Sequence, residues 1–451
     1  MERWLLAFYL VLSGLAVVQA VLVVVQTWEH HRYARSRLAR MRGYPRKGKA
    51  LIVVPCRGMD VGLSRNLHSL FHQDYLDYQI RFVVESDSDP ACPVIRRLVA
   101  EHPQKLAELL IAGKASGEGQ KVHNLRHATA ELPPDVEYLA FVDSDARLRP
   151  QWLRALLTRL DRPGVGAITG YRWFVPLRPG LTNHLLYSVN SKIAVLFGSR
   201  CPTIVWGGSW SVRRDKFEAL GMREAWAGTL SDDLVASRVL RDAGLRVLFE
   251  PACMVTSPAD VTLAGLFEFA RRQYLLGRWY VPGGWMFALA MTTFVNAVSL
   301  ANAGLLLAAL ATRVVNPWIP AAFCGAFYAL SLSAGLLRQD LVLSYFPRLY
   351  AALRRARRFE VWFSPLASLV NWVSVLLSIG GRSVRWRGIG YLVRGDGRVA
   401  ATWRTDSDAD QGAAQPDQSA SPEDSSEPDV IPLPSIQDRG RVRGKSRRRT
   451  A

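Results

Sequence analysis

Two long apolar regions constrain the fold of this 451-residue chain more than any other feature. Residues 4–25 are almost uncharged and match the length of about 20 residues that a helix needs to cross a bilayer. The chain becomes apolar again between residues 284 and 380, where 285–311 and 318–337 are long enough to span and 362–379 is marginal. We therefore predict a multi-pass membrane protein with a polar domain between its membrane helices.

A cleaved signal peptide is the alternative for the first apolar stretch. Its basic residues, however, come after the stretch and not before it, and no small-residue cleavage site precedes residues 28–31. The basic residues between Arg32 and Lys49 predict, by the positive-inside rule, an N-terminus outside and a following domain in the cytoplasm. The Arg- and Ala-rich composition favours a bacterial inner membrane.

The formal net charge of +19 would favour a nucleic-acid partner in a soluble protein. In a membrane protein the same charge suits an anionic bilayer surface, so we expect the bilayer as a partner and no nucleic acid. The five scattered cysteines lack a Cys-x-x-Cys pair and indicate reduced thiols, in agreement with a cytosolic domain.

One topological conflict stays open in the sequence. Three membrane helices after the polar domain would place the basic C-terminus outside, against the positive-inside trend. Either residues 362–379 are interfacial or re-entrant, or the tail is an exception.

Residues 50–262 alternate short β-branched runs with amphipathic stretches, which is typical of a mostly parallel α/β sheet. Strands are predicted at 50–54, 80–84, 109–111, 138–142 and 166–169, and helices at 63–73, 93–101 and 150–160. The remaining segments are a membrane helix (1–27), a basic juxtamembrane linker (28–49), an interfacial Arg/Trp segment (263–283), membrane helices (284–380) with a basic amphipathic stretch (340–358), a short C-terminal segment (381–404) and a disordered tail (405–451).

Asp143 and Asp145 leave the end of the predicted strand 138–142. Open α/β sheets bind ligands in the crevice beyond the strand ends, and paired carboxylates there can hold a hard divalent cation. A solvated turn is the alternative for this pair alone.

Further polar segments follow the other predicted strands and resemble a known family. Residues 53–58 (VVPCRG), 83–91 (VVESDSDPA) and 121–125 (KVHNL) resemble, in order and spacing, segments of the inverting family 2 glycosyltransferases, and within them of the ceramide glucosyltransferase-like lipid enzymes. The resemblance covers residues 50 to about 280 and the flanking membrane helices. It implies a nucleotide-sugar-binding, GT-A-like domain inserted between an N-terminal transmembrane helix and C-terminal membrane helices.

The resemblance implies roles for the donor side of the site. Glu85 and Asp87 would contact the uracil and ribose, Lys121 would lie near the diphosphate, and Asn124 would orient its loop. Asp145 would ligate Mg²⁺ or Mn²⁺, with Asp143 beside it on the nucleotide side. A solvated acidic loop and a solvent-exposed lysine at a helix start remain the alternatives.

The resemblance also implies an acceptor side. Asp233 matches the aspartate of the family's Glu-Asp pair and would be the general base, with Asp232 in place of the glutamate. An ordinary helix N-terminus is the alternative for this pair. Trp206, Gly207 and Gly208 would shape the acceptor cleft.

An arginine-rich segment lies where the family carries a Gln/Arg-x-x-Arg-Trp motif whose arginine stabilises the leaving diphosphate. The sequence departs from that motif, since Leu275 holds its first position. The identity of the arginine that meets the diphosphate therefore stays open. A basic and aromatic belt at the membrane interface is the alternative for this segment. The donor-side candidates here are Arg271, Arg272, Gln273, Arg278 and Trp279.

His68 and His72 are spaced by four residues, but the sequence near them shows no third ligand. We interpret them as partly exposed helix residues.

Together these patterns predict an enzyme that moves one sugar from a UDP-sugar to a lipid hydroxyl, with inversion. Ceramide-like, hopanoid and glycerolipid acceptors stay open. The alternatives are a processive polysaccharide synthase of the cellulose or hyaluronan type and a non-catalytic membrane scaffold or lipid transporter.

Overall fold

A computed structural model of the chain describes residues 2–40, 48–198, 203–313 and 316–404. Predictions that fall on Cys201, on the end of the basic linker (41–47) and on the tail (405–451) lie outside the described residues. In chain order the elements are α1 (Glu2–Ala39), β1 (Lys49–Pro55), α2 (Leu63–Phe71), β2 (Tyr78–Val84), α3 (Ala91–Glu101), β3 (Ala107–Ile111), α4 (Gln120–Ala128), β4 (Val136–Val142), α5 (Trp152–Leu157), β5 (Val165–Pro176), α6 (Leu181–Ala194), β6 (Ser209–Arg213), α7 (Arg214–Ala219), α8 (Met222–Trp226), α9 (Asp232–Asp242), β7 (Arg246–Ala259), α10 (Leu263–Tyr280), α11 (Pro282–Thr312), α12 (Trp318–Tyr345), α13 (Arg354–Leu377), β8 (Ser383–Trp386), β9 (Ile389–Val393) and β10 (Val399–Arg404).

The predicted mostly parallel α/β sheet is confirmed. Seven strands form one sheet in the order β3-β2-β1-β4-β6-β5-β7, with β1 parallel to both β2 and β4. Ile52 of β1 lies opposite Ile80 of β2 and Ala140 of β4, and all three side chains are buried. Strands that are covered on both faces consist of continuous apolar runs, which is why the sequence pattern located them.

The sequence analysis missed β6 and β7 and gave β5 only its first half. β6 pairs antiparallel with both β4 and β5 and carries buried serines, so its five residues show no apolar run. β5 and β7 continue side by side beyond the rest of the sheet after a register shift between Thr169 and Tyr171. Their extension carries Arg172 to the ligand-binding edge.

Within the described residues, four helices (α1, α11, α12 and α13) are long and apolar enough to cross a membrane. Tyr9 and Ser13 of α1 bind the side chain of Asn302 in α11, with distances of 2.7 and 3.0 Å. Such bonds satisfy polar groups that lipid cannot solvate.

α1 does not end where the predicted linker begins but continues through Ala39. Its last turns pack on the sheet domain, because Tyr33 donates to the Phe249 carbonyl (2.7 Å) and Arg37 pairs with Glu250 (2.6 Å). Much of the predicted linker is therefore a helical strut between membrane and domain.

The basic stretch 340–358 is divided between the end of one helix, a short turn and the start of a second helix. α12 ends at Tyr345, a 3-10 turn covers Pro347–Leu349, and α13 begins at Arg354. The break has a local cause, since Pro347 lacks the N–H that an α-helix needs.

The segment after α13 bears on the topology that the sequence left open. It forms a three-stranded antiparallel sheet, β10-β9-β8, which packs on the α/β domain through Tyr391 and Val393. The two parts lie on the same membrane side, so an even number of crossings separates them. α13 fits an interfacial position, because it bends near Phe363 and Pro365 and its Glu360 accepts a bond from Ser188 of α6.

This arrangement predicts that Glu131→Cys, on the α/β domain, and Arg394→Cys, in the β9–β10 turn, react from the same membrane side. The test is labelling of sealed, oriented vesicles with a membrane-impermeant maleimide, before and after permeabilisation. Labelling of the two variants from opposite sides would contradict the topology.

Candidate active site

The candidate site lies where β1, β2 and β4 end together. Asp143 and Asp145 form the turn after β4, which is held from several directions. Asn66 of α2 donates to the Ser144 carbonyl (3.3 Å), Ser144 donates to Asp60 (2.5 Å), and the Ala146 amide donates to the Asp143 carbonyl (3.1 Å). The two carboxylates are therefore fixed at the ligand-binding edge of the sheet.

Lys121, in the first turn of α4, links this turn to the start of α9. Its ammonium lies 2.8 Å from Asp143, 3.3 Å from Asp232 and 3.3 Å from the Gly207 carbonyl oxygen. Burial opposes the charged form, yet the surrounding carboxylates raise the pKa of Lys121 above its ordinary value. The lysine is thus a permanent cation in the centre of the site.

Asp143 and Asp145 differ in their electrostatic surroundings. Burial disfavours the Asp143 anion, but Lys121, Arg172 and Arg387 outweigh it and keep the pKa of Asp143 below its usual value. Burial raises the pKa of Asp145, although Arg172 lies 3.5 Å away and opposes the shift.

Asp145 Oδ1 is buried and has no hydrogen-bond partner among the residues that the structure describes. A buried carboxylate oxygen without a partner is costly, and a divalent cation would satisfy it. Asp143 and Asp145 therefore fit a Mg²⁺ or Mn²⁺ ion by their chemistry and position.

Arginines from three separate elements cluster at this edge of the sheet. Arg172 from β5 and Arg387 from the β8–β9 turn act on the carboxylates, and Arg272 from α10 lies close to both of these arginines. Arg172 stacks on the Trp206 ring at 5.4 Å, and Arg387 pairs with Asp60 at 2.6 Å. Burial, then the charges of Arg172 and Arg387, lower the pKa of Arg272 to about 10. Mutual repulsion of this kind favours binding of a polyanion between the guanidinium groups.

Sequence reasoning missed Arg172 and Arg387. Arg387 lies 242 positions after Asp145 (387 − 145) and in a segment that showed no motif, so no spacing could connect it to the site. Its left-handed backbone (φ 49°) marks a tight turn between two short strands, a signal that only the structure reveals.

Among the predicted donor residues, Glu85 is buried at the end of β2 and pairs with Arg57 and Arg404. Asp87 is exposed and pairs with Arg96. Asn124 is buried and accepts a bond from Gln120 (2.8 Å), which fits the predicted role of orienting the loop before α4.

The arginine-rich segment of α10 is divided between two tasks. Arg271 donates to the Leu377 carbonyl (2.9 Å) and Arg278 to the Ser378 carbonyl (2.6 Å), so both hold the end of α13. Trp279 is buried in the core and Gln273 is exposed. Of this predicted set, the structure brings Arg272 to the other site arginines.

Asp232 and Asp233 begin α9 and have different partners. Asp233 accepts bonds from the Gly207 amide (3.0 Å), the Leu234 amide (2.8 Å) and Ser231 (2.5 Å). Asp232 is buried, and its Oδ2 lacks a hydrogen-bond partner within the described part of the chain. Burial, opposed by Lys121 and reinforced by Asp233 and Asp143, raises the pKa of Asp232 to about 7.

Gly207 and Gly208 allow their loop to lie close to Lys121, Asp232 and Asp233. A Cβ atom on Gly207 would lie 2.9 Å from both Asp232 Oδ2 and Lys121 Nζ. A Cβ atom on Gly208 would overlap the Trp206 ring. The loop therefore requires glycine at both positions to lie against the charged cluster.

The chain is similar in sequence to known proteins. The sequence model described as glycosyl transferase family 21 matches residues 11–399. Two similar proteins are ceramide glucosyltransferase 1 of Caenorhabditis elegans (24% identity over 246 residues, 51% of this chain and 48% of the relative) and ceramide glucosyltransferase 3 of the same organism (31% over 218 residues, 47% of each). The chain spans about half the length of these curated relatives.

Solved structures with partial similarity include the mannosyltransferase PcManGT from Pyrobaculum calidifontis in complex with GDP-Man and Mn²⁺, with a TM-score of 0.38 and 17% identity, covering 79% of this chain and 99% of that one. A second is GalNAc-T7 with UDP, GalNAc and Mn²⁺, with a TM-score of 0.35 and 13% identity, covering 50% of this chain and 47% of that one.

The arginine cluster predicts that inorganic pyrophosphate, with Mg²⁺ present, binds and stabilises the purified protein. Arg387→Ala removes one charged donor, so we expect pyrophosphate affinity to fall by about tenfold or more. The control is Arg394→Ala, which removes an exposed arginine from the same small sheet. Thermal unfolding across a pyrophosphate titration measures both, and equal affinities for the two variants would contradict the role of Arg387.

Proposed function

The chain belongs to glycosyl transferase family 21, whose model matches it from residue 11 to residue 399, and on this basis we propose that it transfers a single sugar from a UDP-sugar to a hydroxyl group of a membrane lipid. The observation that carries the proposal is the half-buried Asp143–Asp145 turn beside Arg172 and Arg387, with Arg272 close to these two arginines. Carboxylates that fit a divalent cation, next to a cluster of arginines, suit a diphosphate leaving group.

In the proposed donor complex, Asp145 and Asp143 would hold Mg²⁺ or Mn²⁺, which neutralises diphosphate charge when bound. The three arginines bind the remaining phosphate oxygens and stabilise the negative charge that develops as the bond to the sugar breaks. Lys121 adds a point charge beside Asp143, 2.8 Å away.

The surroundings of Glu85 favour a pyrimidine base that has hydrogen-bond donors and acceptors on one edge. Its carboxylate can accept the uracil N–H, while Arg57 and Arg404, which pair with it, can donate to the uracil carbonyl oxygens. This complementarity is the basis for proposing a UDP-sugar. Whether the sugar is glucose or N-acetylglucosamine stays open.

We assign the general base to Asp233. It is less buried than Asp232 and faces the Gly207 loop, where an acceptor hydroxyl can approach. The hydroxyl oxygen attacks the anomeric carbon from the face opposite UDP, its proton passes to Asp233, and the sugar inverts its configuration. Trp206 and the two glycines form the wall of the acceptor cleft in this proposal.

The acceptor assignment rests on the relatives and on the position of the membrane helices. Both relatives are named ceramide glucosyltransferases, and α10, which carries Arg272, leads directly into α11. A lipid hydroxyl at the bilayer surface would reach Asp233 without leaving the membrane. We place the enzyme in a bacterial inner membrane with its α/β domain in the cytoplasm.

A processive polysaccharide synthase is the alternative. A polymer channel needs enough helices to enclose a polar path, because unsatisfied polar groups cannot face lipid. The described residues provide four candidate spans, and the bend of α13 near Phe363 and Pro365 suits an interfacial position for that helix. A non-catalytic scaffold would have no need of the buried and costly charged set around Lys121.

Asp233→Asn is expected to lower transfer by about 10²–10⁴-fold, the usual contribution of a general base, with UDP-sugar affinity nearly unchanged. Asp242→Asn, on the exposed end of the same helix, is the control and should retain wild-type turnover. Turnover and donor affinity, measured separately, distinguish the roles. A parallel loss of both would make Asp233 a binding or capping residue.

Asp232 gives a pH signature because its pKa is raised to about 7. Below that pH its protonation removes a negative charge that Lys121 contacts, so we expect transfer to slow as the pH falls through about 7. Asp232→Asn should remove this step from the pH–rate profile while leaving measurable transfer. An unchanged profile in the variant would assign the step to another group.

The product distinguishes lipid transfer from polymer synthesis. We expect radiolabel from a UDP-sugar to enter a compound that is extractable into organic solvent and carries one sugar per lipid. Purified protein with extracted bacterial lipids is the assay. Label mainly in water-soluble material of high molecular weight would support the synthase alternative.

A further inference from the structure

Three histidines come together at the edge of the sheet opposite the candidate active site. His68 and His72 lie on and just after α2, and His102 follows the last residue of α3. One ring nitrogen of each lies within 4.8 Å of the others. The sequence spacing paired only His68 with His72. His102 is distant in the chain and joins this cluster because α3 packs beside α2.

The location is separate from the Asp143–Asp145 turn. Helices that follow parallel strands run back toward the edge where the strands begin, so α2 and α3 end at that edge. The carboxylates of the candidate active site lie at the opposite edge, after the strand ends. The two sites therefore cannot share a ligand.

The hydrogen bonds of the histidines prepare them as ligands. His72 Nδ1 lies 3.0 Å from the His68 carbonyl oxygen, and His102 Nδ1 lies 2.8 Å from the Leu98 carbonyl oxygen. A carbonyl only accepts, so in both rings Nδ1 carries the proton and Nε2 keeps its lone pair. Metal-binding histidines in proteins usually have such a bond, which fixes the tautomer and the ring orientation.

The surroundings also favour a cation. Both helices direct the negative end of their dipoles at this edge. The His102 ring stacks on the buried Phe71 ring at 4.4 Å, which holds it in place, while the rings of His68 and His72 are exposed. Zn–N bonds are about 2.0–2.1 Å long, and rotation of the exposed His68 ring allows its nitrogen to approach those of the other two rings.

We propose that His68, His72 and His102 bind a transition-metal ion, Zn²⁺, with water in the open coordination position. Neutral imidazoles select ions such as Zn²⁺ and bind Mg²⁺ poorly, so this site and the carboxylate site differ in the metal they take. The metal joins α2 to α3.

The proposed metal affects the active site indirectly, through contacts on the face of α2 that points away from the histidines. Asn66 donates to the Ser144 carbonyl (3.3 Å), Ser69 accepts from the Leu148 amide (3.2 Å), and Gln73 accepts from the Leu153 amide (3.0 Å). α2 thus supports the segment that begins with the Asp143–Asp145 turn. Zn²⁺ holds that support in position without contacting substrate.

The test is a Zn²⁺ titration of the full-length, chelator-treated protein in detergent, with saturating Mg²⁺ to occupy the carboxylate site. Isothermal calorimetry and thermal unfolding report binding and stabilisation, independently of activity. We expect one Zn²⁺ per chain and a higher unfolding temperature with Zn²⁺.

His102→Gln and His72→Gln should weaken Zn²⁺ binding by at least about tenfold and remove the thermal shift. His127→Gln, which changes an exposed histidine on α4, is the control and should bind like the wild type. Both ligand variants can be checked for folding by their unfolding transitions without metal. Wild-type protein that binds Zn²⁺ only at millimolar concentration, or ligand variants that bind it as tightly as the control, would overturn the proposal.

Discussion

The contact between Lys121 and the carboxylates of Asp143 and Asp232 is the interaction on which the rest of the site depends. Carboxylates that are largely removed from water repel one another and lose hydration, and a neighbouring cation offsets this cost. Lys121 supplies that cation from α4, with distances of 2.8 and 3.3 Å. The turn after β4 and the start of α9 are held together by this lysine, and the glycine loop fits between them.

Electrostatic attraction to the acidic edge also holds the small C-terminal sheet in place. Arg387 adds a guanidinium group to the acidic edge by pairing with Asp60, and Arg404 does the same at Glu85. The sheet thereby becomes part of the site, although the α/β domain ends more than a hundred residues earlier in the chain. The membrane helices between them are constrained to return the chain to the same side.

Apolar patterns in the sequence were sufficient to predict the parallel half of the sheet, the membrane helices and the position of the Asp143–Asp145 turn. They failed for β6, whose buried serines give no periodic signal. Apolar patterns also could not identify residues that act through tertiary contacts. Arg172, Arg387 and His102 each meet partners far away in the sequence, and no local spacing records such contacts.

The central claim is that the carboxylates, through a divalent cation, and the arginines form one cradle for a diphosphate. Calorimetric titration of UDP into the purified protein, with Mn²⁺ and then with excess chelator, tests it most directly, with uridine as the control that lacks phosphates. We predict that the chelator weakens UDP binding by at least about tenfold, or about 1.4 kcal/mol, and leaves uridine binding unchanged. UDP affinity that is equal with and without the metal would contradict the account.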